Sequence, residues 1–336
     1  MDGLMFYHSN ANGEELSVID DIIALDFENN IGVKATEKDN SFSMTMSESY
    51  WAKIPVQNGD GIYIPGTEWG GIVSNVEHKT TNGSVTVSGL TWRGILHCII
   101  VEPPSGQSYL VVSNVDANVA IGMAIGSRYT SLIKVSTAVC GVNVSGEWRY
   151  RTVADCLNTT LASYGLRLKI VWDNTINKMV LSAEPVDELT DQIELSQDYG
   201  VDFTSSDGNS YLRNRCLALG SGTGENRLVR NYYYWDGDVV TTKPSGWDDE
   251  EERTILLDYP NAEDENQLYD SARKRLLDYS PKKSIVINQI NVDVSTDLGD
   301  IIGARDRLTG MVGESRVVKK IMSLKSGTIK IDMGVE

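Results

Sequence analysis

The sequence predicts a strand-rich α+β protein, and three observations carry that prediction. Residues 41–47 read Ser-Phe-Ser-Met-Thr-Met-Ser, an alternation that puts Phe42, Met44 and Met46 on one face of a strand and hydroxyls on the other. Asn82-Gly83 stands between the apolar runs 73–76 and 85–87, a strong hairpin signal. In the middle third the period changes. Thr152 caps a helix over 153–162 with Asp155 in its first turn, and Gly165 sits at the left-handed stop.

The remaining elements follow in chain order. Residues 57–61 (Gln-Asn-Gly-Asp-Gly) form a tight turn, after which Ile62, Ile64 and 69–73 resume strand character; four or five such strands make a small barrel or sandwich. Residues 90–100 open as a helical turn and run into a strand that Pro103-Pro104 ends. An Asp-capped helix with small residues on its face spans 116–127. The strand 166–172 is turned back by 173–177 into 178–183, which makes 106–190 an α+β lobe. A polar stretch over 184–194 marks a boundary. Strands at 211–219 and 227–235 flank 220–226, the acidic run 247–252 is a loop, and a helix follows over about 262–277 before Ser280-Pro281. The tail returns to strands at 284–294, 315–323 and 328–333, with Asp297-Leu298-Gly299-Asp300 as a turn and Lys325-Ser326-Gly327 joining the last pair.

With 336 residues, the chain has room for roughly two to three domains. Thirty Lys and Arg against 47 Asp and Glu give a net charge of −17, with the cations scattered. That balance excludes a protein that grips nucleic-acid phosphates through a basic face, and one that adsorbs to anionic lipid. No run of about eighteen apolar residues is present to span a bilayer. The start Met1-Asp2-Gly3 has neither the cationic nor the apolar region of a secretory signal. The four cysteines, Cys98, Cys140, Cys156 and Cys216, form no C-x-x-C pair and are expected as reduced, buried thiols of a protein assembled in cytoplasm.

Catalytic constellations fail one by one. His8 is expected in a loose N-terminus and His78 beside a lysine in a hairpin. His97 and Cys98, as neighbours on a strand, face opposite ways and cannot share a proton. Asp236-Gly237-Asp238 and the run 248–252 have carboxylates for a hard cation but no interleaved ligand pattern, so they read as solvated loops. The run Gly220-x-Gly222-x-Gly224 lacks both the Gly-Lys-Ser/Thr continuation and a following helix, and reads as a hairpin turn rather than a phosphate loop. No catalytic, cofactor-binding or metal residues are predicted, and the chain is not expected to be an enzyme. Seven Trp and fifteen Tyr, with the run Tyr232-Tyr233-Tyr234-Trp235, raise an alternative: a carbohydrate-binding or glycan-processing module of the host cell surface. Strand alternation, however, sends half of that run into a core.

Four stretches in order resemble a known family. They are Trp69-Gly70-Gly71-Ile72-Val73 followed by 85–96, ending Ile95-Leu96; Arg149-Tyr150-Arg151-Thr152 leading into 153–157; Arg213-Asn214-Arg215-Cys216 continuing to Gly222, with Cys216 at a usual valine position; and Asp297-Leu298-Gly299-Asp300 continuing to Asp306. Over residues 25–336 the chain is similar to the hub proteins at the tail tip of long-tailed bacteriophages and prophages, which are built like contractile-tail baseplate hubs.

The resemblance implies a fold with two small β-barrel hub domains, an α+β lobe and a helical insertion. It divides the chain into an N-terminal barrel at 1–105, the lobe at 106–190, a second barrel at 191–240 plus 284–336, and an acidic loop and helix at 241–283. It implies a homotrimer that closes the tail tube and seats the host-adsorption apparatus. The implied partners are the distal tail or tail-tube protein, the tape measure protein and receptor-binding proteins, with DNA only as passing cargo and no membrane insertion. The implied location is the virion tail tip, after assembly in the bacterial cytoplasm. The hub of a contractile injection system shares the same architecture and is the neighbouring alternative. Because Glu336 directly follows the last strand, wall hydrolysis by an appended domain is not expected.

Overall fold

The computed structural model describes residues 5–127, 129–190, 194–195, 202–208, 213–262, 264–279, 282–289, 296–306, 308, 312–325 and 328–335. It divides into two units, residues 1–204 with 286–336, and residues 205–285.

In the first unit the N-terminal strands are β1 (Phe6–Ser9), β2 (Glu15–Ile19), β3 (Ala24–Asn30), β4 (Ser41–Ser47), β5 (Gly61–Tyr63), β6 (Gly70–Lys79) and β7 (Ser84–Thr91), with a one-turn helix α1 (Glu48–Trp51) after β4. The lobe follows: α2 (Trp92–His97), β8 (Ile100–Val101), β9 (Leu110–Asp116), α3 (Ala117–Ile125), β10 (Ile133–Val135), β11 (Asn143–Trp148), β12 (Arg151–Thr152), α4 (Val153–Ala162), β13 (Leu166–Asp173) and β14 (Lys178–Pro185), after which β15 (Glu194–Leu195) pairs with a strand of the large sheet. Beyond it come β16 (Asp202–Gly208), β17 (Arg215–Leu219), β18 (Val229–Trp235), β19 (Asp238–Val240), β20 (Thr254–Asp258), α5 (Glu265–Asp278) and β21 (Lys282–Gln289). The last strands are β22 (Ile301–Arg305), β23 (Val312–Lys325) and β24 (Thr328–Val335).

An eleven-stranded sheet dominates the first unit, in the order β15-β22-β23-β3-β4-β7-β6-β5-β1-β2, with β24 pairing β23. Among the described residues no ladder joins its two ends. The expected alternation in β4 is complete: Phe42, Met44 and Met46 are buried beside Leu25, Phe27, Val85 and Val87, while the serines and Thr45 face outward. Phe6, Phe27 and Phe42 stack through this core at centroid separations of 5.4 and 4.6 Å.

The lobe holds a three-stranded sheet β10-β14-β13 and the ribbons β9–β11 and β8–β12, packed on α2, α3 and α4. The Asp116 and Thr152 caps form as expected, with the side chains accepting from Asn118 N and Asp155 N. Its core reaches back to the large sheet through one aromatic stack. Trp92 of α2 lies 4.7 Å from Trp172 of β13 with planes 8° apart, and Tyr63 of β5 lies 4.8 Å from the same indole.

The second unit has a four-stranded sheet β19-β18-β17-β20 covered by α5, whose Leu268, Ala272 and Leu276 are buried with Cys216, Ala218 and Tyr232. Strands β16 and β21, each of which runs across a boundary of this unit, pair as a two-stranded ribbon.

The strand grouping differs from the expected one. The resemblance placed 191–240 together with 284–336, whereas β22, β23 and β24 lie in the sheet of the N-terminal strands and β17–β20 form their own sheet with α5. The ladder from Leu324↔Leu25 to Lys319↔Asn30 explains it: both strands carry alternating apolar residues that need one core, and no local signal marks a pairing of that sequence separation. Residues 290–294 of the expected strand 284–294 lie outside the described residues.

Candidate functional site

A dense cluster of charge in the first unit surrounds Arg167 of β13. This side chain is buried, its guanidinium donates to the carboxylate of Asp300, and Asp187 and Asp297 lie 3.4 and 3.3 Å away. Asp300 also accepts from the backbone N–H groups of Asp297 (2.6 Å) and Asp187 (3.1 Å). Burial raises the Asp300 carboxyl above the ordinary value, and those backbone donors and Arg167 act against it. The Leu298-Gly299-Asp300 turn, one carrier of the family resemblance, thus places Leu298 in the interior and Asp300 on Arg167. Gly299 has φ +102°, and a Cβ there would stand 3.0 Å from Arg167 Cβ. A cleft of about 250 Å³ opens beside it, with Arg93 as a second buried cation. Arg93 donates to Glu68 at 2.8 and 3.1 Å and to the Leu168 carbonyl at 3.0 Å. These cations are saturated by acids and carbonyls, so the cluster fastens the 296–300 turn to the lobe.

His8 corrects its expected place in a loose terminus. It is 1% exposed in β1, with Nε2 2.8 Å from Asp60 Oδ2 and Nδ1 3.0 Å from Ser17 Oγ. A carboxylate only accepts, so Nε2 carries the proton, and in the neutral ring Nδ1 accepts from the Ser17 hydroxyl. Acid, base and hydroxyl are the residue types of a nucleophilic triad. At 1% exposure, however, the imidazole offers no face to a substrate, and Asp60 spends its other contact on Gln57 N at 2.8 Å. The trio ties the 57–60 turn to β1 and β2. Sequence spacing gives no hint of it, since its members come from three separate segments.

The pair His97–Cys98 is also placed differently. Both residues end α2 rather than sit on a strand, His97 buried and Cys98 exposed. Burial pushes the His97 pKa down and leaves its ring neutral, and burial raises the Cys98 thiol. Cys156 and Cys216 are buried as expected, with thiols pushed up to about 11, whereas Cys140 is only partly covered. His78 lies on β6 with Nε2 3.4 Å from Glu48 Oε2.

In the second unit, 220–226 is the turn between β17 and β18, with Gly222 at φ +96°. Asp236-Gly237 forms the β18–β19 turn, and Asp238 accepts from Arg273 Nε at 3.0 Å. In the acidic loop, Asp249 accepts from Lys243 and Glu252 from Arg215. Among the described residues no three His, Cys, Asp or Glu side chains gather into a group able to hold a metal ion. Of the aromatic run, Tyr232 and Tyr233 are buried, and Trp235 is 43% exposed beside Trp247 at 6.3 Å.

The outward face of the large sheet is polar over several strands. Asp26 and Glu28 of β3, Ser43 and Thr45 of β4 and Thr86 and Ser88 of β7 share it, and Thr45 Oγ1 lies 2.9 Å from Thr86 Oγ1. A shallow cleft of about 470 Å³ runs along it. Lys319 of β23 is held on this face by Glu28 at 2.6 Å. No helix of the described residues is long and apolar enough to cross a membrane.

No protein-family model matches the sequence, and neither does any curated protein. Solved structures do match in fold. The 43 kDa tail protein of prophage MuSo2 from Shewanella oneidensis superposes with a TM-score of 0.51 at 12% identity, over 99% of this chain and 98% of that one. A prophage tail protein from Listeria monocytogenes EGD-e gives 0.50 at 11%, over 98% and 94%. A chain of the phage P2 baseplate in its activated conformation gives 0.50 at 11%, over 99% and 98%. From end to end, the chain has the fold of phage and prophage tail proteins.

Proposed function

We propose that the chain is a structural protein of a phage or prophage tail, the hub of its tip or baseplate, acting by assembly and not by catalysis. The observation that carries the reading is the extent of the fold likeness, 99% of this chain on 98% of a prophage tail protein, with no large part left over on either side. In this reading three copies form a ring of small barrels that closes the tail tube, joins the distal tail and tape measure proteins and seats receptor-binding proteins at the virion tip. The polar face of β3, β4 and β7 lines the ring. Its acids and hydroxyls suit a passage for DNA, because a phosphate backbone finds the carboxylates of Asp26 and Glu28 and the hydroxyls of Ser43, Thr45, Thr86 and Ser88, with Lys319 held by Glu28 and Lys38 among the residues lining the cleft.

The test is localisation in particles. Tails purified from a host producing the phage are expected to contain the chain, with gold-labelled antibody at one end only and three copies per tail by quantitative mass spectrometry. Tails that lack the chain, or label spread along the tube, overturn the proposal.

A further inference from the structure

We propose that the exposed surface formed by Tyr109, Arg149, Tyr150 and Arg151 is the seat for the acidic loop 247–252 of a second copy of this chain. The inference rests on the tail-hub reading and adds to it a specific subunit contact.

Tyr150 is the first observation. Of the four non-glycine residues described with positive φ, three are Asn or Asp, which tolerate that region; the fourth is Tyr150, at φ +49°. A tyrosine there is strained, and the strain is held in place by the backbone N–H of Tyr150, which donates to Val101 O at 2.9 Å between β11 and β12. The result is a ring 64% exposed to solvent.

Arg149 is the second. Its guanidinium carbon lies 5.2 Å from the Tyr150 ring centroid and 5.8 Å from that of Tyr109. Two flanking rings orient a planar fork that recognises carboxylates in bidentate fashion. Among the described residues no acid pairs with Arg149 or Arg151, although Arg93, Arg167, Arg215, Arg227, Arg230 and Arg273 each have a carboxylate. Arg149 and Arg151 are both exposed and stand one residue apart in a chain of net charge −17. Tyrosine and arginine are also the residue types that dominate binding energy at interfaces, and Val111, 49% exposed, adds an apolar margin.

The same chain supplies the complement. In the loop, Asp249 and Glu252 are engaged by Lys243 and Arg215, while Glu250 and Glu251 are exposed, and their carboxylates have no ion-pair partner among the described residues. Two free carboxylates on adjacent residues match two free guanidinium groups on one short segment. Because seat and loop are different surfaces, the contact is head-to-tail, the kind that closes a ring of identical subunits.

The experiment is sedimentation of the full chain over a concentration series. Wild type is expected to self-associate, less strongly at about 0.5 M salt than at about 0.05 M. Arg149→Glu with Arg151→Glu, and separately Glu250→Arg with Glu251→Arg, are expected to weaken association by about tenfold or more, and the chain carrying all four exchanges is expected to regain it. Tyr150→Gly relieves the backbone strain, so it is expected to keep or raise the melting temperature while lowering association, which a purely structural residue would not do. A wild-type chain that stays monomeric, association indifferent to the charge reversals or to Tyr150→Gly, or a four-fold exchange that fails to restore it overturns the contact. A chain found at tail tips whose association ignores these charges refutes the contact alone, whereas its absence from tails refutes the hub reading whatever the sedimentation shows.

Discussion

Arg167 and Asp300, 133 residues apart in sequence, meet as a buried ion pair, and through it the turn at 296–300 is fixed to β13 of the lobe. Neither charge has water to fall back on, so removing one strands the other. Arg167→Ala is expected to cost about 3–5 kcal/mol in denaturant unfolding, whereas the double change Arg167→Leu with Asp300→Leu is expected to cost less than the sum of the two single changes.

Gly299→Ala probes the same joint through the backbone. At φ +102°, with the new Cβ 3.0 Å from Arg167 Cβ, the substitution is expected to lower stability by about 1–3 kcal/mol, read as a shift of the urea midpoint at unchanged slope.

His97 gives the fold a pH dependence of defined sign. Burial depresses its folded-state pKa below the ordinary 6.5, so the unfolded chain binds the proton first as pH falls. Its contribution is complete above pH 6.5 and is lost on acidification through the folded-state value. His97→Gln is expected to flatten the fall in unfolding free energy between pH 7 and 5 measured by denaturant titration. The carboxylates held low by hydrogen bonds, such as Glu252 by Arg215 and Asp39 by Thr36, act only below about pH 4.5 and remain in the variant.

Thiol labelling distinguishes the cysteines. With native protein at pH 8, Cys98 is expected to react with a water-soluble disulfide reagent, and Cys156 and Cys216, with thiols raised to about 11, only after unfolding. Mass spectrometry of labelled peptides reads the order.

The polar sheet face is tested by charge. In the tail-hub reading, Asp26→Lys with Ser88→Lys is expected to leave tail assembly intact and to reduce DNA delivery by about tenfold or more, seen as particles that adsorb but retain DNA. Normal delivery by such particles argues against this face lining the passage.

What the sequence shows most clearly is local. The β4 alternation, the β6–β7 hairpin at Asn82-Gly83, the Asp116 and Thr152 caps and the helix stop at Gly165 are all legible because the residues that determine each one lie within a few positions of it. The β23–β3 ladder, the Arg167–Asp300 pair and the His8–Asp60–Ser17 trio depend on residues far apart in the chain, and a single sequence has no signal for them. His8 shows the cost: beside an unpatterned terminus it reads as mobile, yet one carboxylate from another segment makes it core. Cys98 errs the other way, since its apolar neighbours Leu96 and Ile99 turn inward from a helix end and leave the thiol outside.

The pairing of β3 with β23 also sets the order in which the molecule is made. During synthesis the strand at Ala24–Asn30 emerges nearly three hundred residues before its neighbour at Val312–Lys325, so one edge of β3 waits while the residues between them are made. The 205–285 unit, with all four strands of its sheet and its helix close in sequence, is free to fold in that interval. The large sheet is completed only when β23 arrives.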